Sequence, residues 1–124
     1  MNKTILGGSA IAVTAFAAGL AVAQAVPQTG RTPQFENADV KVWRSVIAPN
    51  SPLPLHRHEH PRVLVALTGG TMAIVEQDGT RDVQKWETGN AYWLPANKPG
   101  TLHQDVNVGD KPIVVVVAEL KGVS

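Results

Sequence analysis

Three of the chain's four histidines fall at alternate positions, His56, His58 and His60, and the fourth is His103. On an extended strand alternate residues share a face with Cα atoms about 6.5–7 Å apart, so His56 and His58 could both turn their imidazoles onto one ion at about 2.1 Å. Arg57 and Glu59 would then face the other way. The chemistry this spacing suggests is ligation of a divalent metal. A group of solvated loop histidines after the proline-rich stretch at residues 50–55 is the plainer alternative, but H-x-H with a third histidine favours a metal or catalytic site. His60 is followed by Pro61, where strands commonly end, so it is either a fourth ligand or pocket group or a histidine on the rim. With no cysteine in the sequence, imidazole is the only strong nitrogen or sulfur ligand available. No serine, cysteine or lysine sits in a recognisable nucleophile motif, and no glycine pattern matches a phosphate-binding loop or a dinucleotide fingerprint.

Such side chains need a frame, and the chain reads as short strands cut by turn residues. The apolar pattern predicts strands over residues 40–47, 55–60, 62–68, 71–76, 80–86, 91–94, 101–108 and 112–120. Asp78-Gly79 predicts a tight hairpin, because both residues tolerate the backbone angles such turns need. No window shows a clean helical stripe. Residues 113–118 are apolar on both faces, which predicts a strand sandwiched in the core. Strands at roughly ten-residue spacing imply an all-β antiparallel sandwich or small barrel. Residues 26–37 hold two prolines and a glycine with little periodicity, so they read as a flexible linker ahead of a single domain over residues 38–121.

The first 25 residues have the order of an export signal: Lys3, an Ala/Gly/Val-rich stretch, then Ala23-Gln24-Ala25. Cleavage near Ala25 would send the protein to the periplasm or outside the cell; an uncleaved anchor is the alternative. The whole chain has 124 residues with 11 basic and 10 acidic side chains. Without Lys3 the charges balance, leaving no source for the steering or counterion release that nucleic acid or an anionic membrane would require. Neither is expected as a partner once the signal is removed.

The spacing of the histidines resembles the cupin superfamily over most of residues 40–120. The first cupin motif runs G-x5-H-x-H-x(3,4)-E-x6-G, and Asn50, His56, His58, Arg62 and Gly69 keep its spacing. The second runs G-x5-P-x-G-x2-H-x3-N. Gly89 and Pro95 keep its first half, and Gly100, His103 and Asn107 its second, with extra residues between. The resemblance implies a single-domain conical β-barrel, an antiparallel double-sheet jelly roll, enclosing a divalent metal held by His56, His58 and His103. Iron, manganese, zinc, nickel or copper could fill that role. It also implies a homodimer paired through an edge strand.

Where many cupins place a glutamate ligand, this chain has Arg62, or Val63 with a shift of one. Some cupin oxygenases are similar in using three histidines alone. Three neutral imidazoles leave the ion its full double charge, which favours an anionic oxygen ligand from a small molecule. If Arg62 faces inward it would repel the ion unless an anion, such as a substrate carboxylate, lies between; if outward, it is a surface arginine. Asp105 alternates with His103 and Asn107, so it could orient an imidazole or supply the missing charge, or else be a surface aspartate. Asn50 and Asn97 occupy glycine-like places, which suits left-handed turns. Only one of Tyr92 and Trp93 can face the interior, and Trp43 and Trp86 read as core filler. The functional expectation is a metal-dependent, oxygenase-like enzyme for small molecules. Its alternative is a non-catalytic cupin binding a metal or small ligand, and a weaker third reading is metal-free sugar chemistry with Asp105 partnering a histidine base.

Overall fold

The computed structural model describes residues 7–8 and 27–123. The expected export signal lies outside the described residues apart from Gly7 and Gly8. The described chain is all strand, with no helix: β1 (Gly30–Glu36), β2 (Val40–Ile47), β3 (Arg62–Thr68), β4 (Gly70–Glu76), β5 (Arg81–Trp86), β6 (Ala91–Leu94), β7 (His103–Asn107) and β8 (Ile113–Leu120). They form two antiparallel sheets, five-stranded β1-β2-β8-β3-β6 and three-stranded β5-β4-β7. This is the double-sheet jelly roll that the sequence implies.

Two elements differ from the sequence expectation. Residues 30–36 are a strand, pairing with β2 from Gly30↔Val46 to Glu36↔Lys41, with a bulge between Pro33 and Phe35. Local pattern missed it because an edge strand draws its order from a neighbour's backbone and can carry polar residues and proline. Thr29 fastens its start: the hydroxyl donates to the Ser51 carbonyl and accepts from the Ala48 N–H. Conversely, residues 55–60 are not a strand. They make one isolated bridge, His56↔His103, because Pro52, Pro54 and Pro61 remove ladder donors around them.

Period-two alternation decides what faces inward. In β8, Ile113, Val115 and Val117 are buried, while Val114, Val116 and Ala118 are half-buried on the outer face. Thus the strand apolar on both faces is central in its sheet, between β2 and β3, but only one face is in the core. Registers then align inward rows: Arg31, Ser45, Val115 and Ala66 in one, Pro33, Trp43, Val117, Leu64 and Tyr92 in the next. On the outer face, Phe35, Val42, Ala118, Val63 and Trp93 make an apolar row across all five strands. In the small sheet the inward row positions are His103, Asp105 and Asn107 on β7, facing Glu76, Ile74 and Met72 on β4.

Two turn positions show why residue type matters. Asn50 has φ of 52°, so its glycine-like place in the motif is a left-handed one. Asn97 has no such backbone; its role lies in its side chain, described below. Gly69 has no room for a side chain, since a Cβ there would lie 2.0 Å from the Trp86 carbonyl oxygen.

Tyr92 is the inward member of its pair. Its ring lies 6.5 Å from that of Trp86 and its hydroxyl accepts the Glu87 N–H at 2.7 Å, whereas Trp93 is 56% exposed. Tyr92→Phe is therefore expected to cost about 1 kcal/mol by removing that hydrogen bond, and Trp93→Ser to stay within about 0.5 kcal/mol of the parent. Urea unfolding of the two variants checks this; equal losses would contradict the assigned facing.

Candidate metal centre

His56 is held by a two-way backbone bridge to His103, with N···O distances of 3.0 and 2.8 Å. His58 is held from the β6–β7 connection: its N–H donates to Asn97 Oδ1 at 2.7 Å, and its carbonyl accepts the Asn97 N–H at 2.9 Å. His103 is the first residue of β7. Long-range backbone bonds, not strand alternation within 55–60, therefore bring the three rings together. Their centroids are 4.6 to 5.5 Å apart, and one candidate ligand atom from each lies within 4.8 Å of the other two.

Two ring atoms are left for a shared ion, that of His56 directly and that of His103 after a change of tautomer. Nε2 of His56 and Nε2 of His103 are buried with no hydrogen-bond partner. A buried polar atom left unpaired costs stability, so each calls for a partner that protein groups do not supply. His56 Nδ1 lies 2.8 Å from the Pro54 carbonyl oxygen, which can only accept, so this nitrogen carries the hydrogen and Nε2 holds the lone pair a metal needs. The Asp105 carboxylate faces both orphans, Oδ2 at 3.7 Å from His56 and Oδ1 at 3.8 Å from His103.

His103 is set differently. Because the His58 N–H fixes Asn97 Oδ1, the Asn97 amide NH2 points at His103 Nδ1, 2.7 Å away. In that arrangement Nδ1 accepts and Nε2 carries the hydrogen; ligation through Nε2 requires the Nδ1–H tautomer and a turned amide. An aspartate at 97 could accept from both His58 N–H and His103 Nδ1–H. Asn97→Asp is thus expected to raise affinity for divalent metal about tenfold, read by competition with a chromophoric chelator. Unchanged affinity would rule out this role for Asn97.

Electrostatics keep the rings neutral. Burial first, then the charge of Arg62, pulls His58 down to about 2. Burial outweighs the opposing pull of Asp105 and takes His103 down to about 4, and burial also lowers His56. Neutral imidazole is the form that binds a metal.

Arg62 faces inward. It is 6% exposed, its Nη1 donates to the Pro95 carbonyl at 3.1 Å, and burial lowers its guanidinium to about 10. The surface alternative is thereby corrected: β3 begins at Arg62, opposite Leu94 and Glu119, with its side chain in the interior. Asp105 likewise lies in the interior, its side chain 17% exposed. His60 is half-buried and falls outside the three-histidine group. Arg57 and Glu59 pair with each other at 2.7 Å on the outside.

Sequence reasoning missed Arg31, Asn97 and Glu76. Arg31 comes from the strand read as a linker; its guanidinium carbon sits 5.1 Å from the centre of the Trp43 ring, which in turn stacks on His58 at 5.8 Å. Trp43 is accordingly part of the site as well as of the core. A cavity of about 20 Å³ lies among Arg31, Trp43, His58, Arg62 and Asp105. A much larger groove of about 780 Å³, bordered by the β6–β7 connection and β4–β5, reaches Arg62 and His103 from outside.

No protein-family model matches the chain. It is 35% identical over 95 residues to the β-alanine degradation protein BauB of Pseudomonas aeruginosa, covering 77% of this chain and 96% of that one. Among solved structures it is similar to a cupin domain from Bordetella pertussis, with a TM-score of 0.66, 28% identity and 77% and 96% of the two chains covered. An RmlC-like cupin with a double-stranded β-helix fold from Methanocaldococcus jannaschii, at 15% identity, has a TM-score of 0.59 over 78% and 84% of the two chains.

Proposed function

Because the chain belongs to the cupin family, we propose that it holds a divalent metal on His56, His58 and His103 and presents it to a small molecule entering by the groove. The observation that carries this reading is the pair of buried, unpartnered Nε2 atoms of His56 and His103 beside His58. The metal would supply Lewis acidity toward an oxygen atom of the ligand and, if iron or manganese, a place for oxygen chemistry. The chain's own part is to position and neutralise. Pro54 orients His56, and Asn97 orients His58 and His103. Asp105 supplies the carboxylate charge that Arg62 does not, at the point where the two orphan nitrogens face it. Trp43 shields His58 from water.

We read the activity as that of an oxygenase-like metalloenzyme in the periplasm or outside the cell. The alternative, a non-catalytic metal or ligand carrier, draws its support from the absent motif glutamate. The name of the relative, a β-alanine degradation protein, supports a molecule of the size and kind of β-alanine. The outer apolar row ending at the exposed Phe35 and Trp93 supports a homodimer.

Elemental analysis of protein purified without added metal tests the centre. About one equivalent of a divalent ion per chain is expected, removable by chelator and restored on adding it back. Failure to retain iron, manganese, zinc, nickel or copper after reconstitution would sink the reading. Oxygen uptake with small carboxylates then separates the enzyme from the carrier.

A further inference from the structure

The groove is charged with opposite signs at its floor and along its wall. At the floor, Arg62 is nine-tenths buried, yet among the described residues no carboxylate lies within 4.0 Å of its guanidinium. Its one protein hydrogen bond goes to the Pro95 carbonyl. A buried guanidinium has five donors in a fork that fits a carboxylate, and leaving that fork without an anion is costly. It borders both the groove and the small cavity beside His58 and Asp105, with Arg31 on the cavity's other side. Asp105 and Glu119, the carboxylates opposing Arg31 and Arg62, do not reach the Arg62 guanidinium within 4.0 Å, so its fork stays open to a carboxylate arriving from the groove.

The wall differs. Glu76 is paired across the ladder with His103, which places its Cβ about 5 Å from that of His103 on the same inward face. Glu76 lines the groove, half-buried, and its carboxylate makes no hydrogen bond or ion pair to any described residue. Asp82, across the ladder from Ile74, lines the same wall and takes one hydrogen bond from Gln84. The second pointer to a ligand is His103 itself, 1% exposed, bordering the groove with its Nε2 unpartnered.

We propose that the groove binds a short zwitterion, a small aminocarboxylate whose carboxylate docks on Arg62 while its ammonium faces Glu76. This rests on the groove being the route to the metal centre, but both contacts are made by protein charges and are present without metal. An anion alone satisfies the floor and leaves the wall carboxylates solvated; a cation alone meets Glu76 and is repelled from the floor. Only a molecule carrying both charges satisfies both ends.

Three probes of similar length separate these cases: propionate, 3-aminopropanoate (β-alanine) and n-propylamine, titrated by calorimetry or ligand-observed NMR. Each titration is run on chelated and on metal-loaded protein whose metal content has been measured. The expected order is 3-aminopropanoate tighter than propionate by at least threefold, with propylamine at least tenfold weaker than either. Arg62→Gln is expected to weaken both carboxylates at least tenfold, and Glu76→Gln to abolish the preference for the zwitterion while leaving propionate unchanged. Equal binding of propionate and 3-aminopropanoate, propylamine binding as well as 3-aminopropanoate, or absence of binding by all three overturns the proposal. If Arg62→Gln does not fold by circular dichroism, the wild-type order and Glu76→Gln decide. A protein that retains no metal but shows the expected order fails as a metal centre and keeps this site; one that binds metal and none of the probes does the reverse.

Discussion

Metal-free protein is expected to lose about 3 kcal/mol or more of stability between pH 6.5 and pH 4, far from the range where carboxylates alone would drive acid unfolding. The cause is the set of buried imidazoles. In the unfolded chain each takes up a proton near pH 6.5. In the folded chain burial, then Arg62, holds His58 at about 2, and burial holds His103 at about 4. Between these values and 6.5 the unfolded state binds more protons than the folded state, so the stabilisation is present above pH 6.5 and declines as the pH falls. One group contributes about 1.4 kcal/mol per pH unit across such a window, which gives about 3 kcal/mol for His58 alone by pH 4. His103 adds a similar amount, and small domains have only about 5–15 kcal/mol in total. Urea unfolding of chelated protein at pH 7 and pH 4.5 measures it. A midpoint that does not move would mean the rings are accessible to protons in the folded state. Metal-loaded protein should resist until protons displace the ion.

His58→Ala is expected to reduce affinity for divalent metal by on the order of 100-fold or more, since loss of partners that merely orient a ligand already costs about 10–100-fold. His60→Ala should leave the affinity within about twofold, because that ring falls outside the three-histidine group. The two variants differ by two positions in the chain, so the contrast tests the geometry rather than the histidine content. Competition with a chromophoric chelator gives the affinities. The same His58→Ala variant should also shed about half of the acid sensitivity argued above, a readout that does not depend on metal. Equal losses in the two variants would overturn the assignment of His58 as a ligand.

Much of this site is legible in the sequence because turn chemistry and ligand spacing are local. Asn50, His56, His58 and His103 keep their motif intervals, and the structure places the three histidines together. What alternation could not supply is the means: residues 55–60 make a single bridge, and the convergence of His56 and His58 depends on His103 and Asn97, about 40–50 residues away. Asn97 looked like a turn residue because its side-chain bonds are to distant partners that no local pattern carries. Arg31 was invisible for a related reason. Its strand is ordered by the backbone of β2 and shows almost no apolar alternation of its own. The direction of Arg62 was open by one residue of register, and that one residue moves a charge from solvent to the centre of the barrel.

The position of β8 has a kinetic consequence. Strand β8 lies between β2 and β3 and is hydrogen-bonded to both, across sequence separations of about 45–80 residues. Without β8, β1 and β2 share no ladder with β3 and β6, and the five-stranded sheet exists only as two fragments. Pairings of such long sequence separation favour slow folding, and the five-stranded sheet is completed only when β8 docks between its two halves.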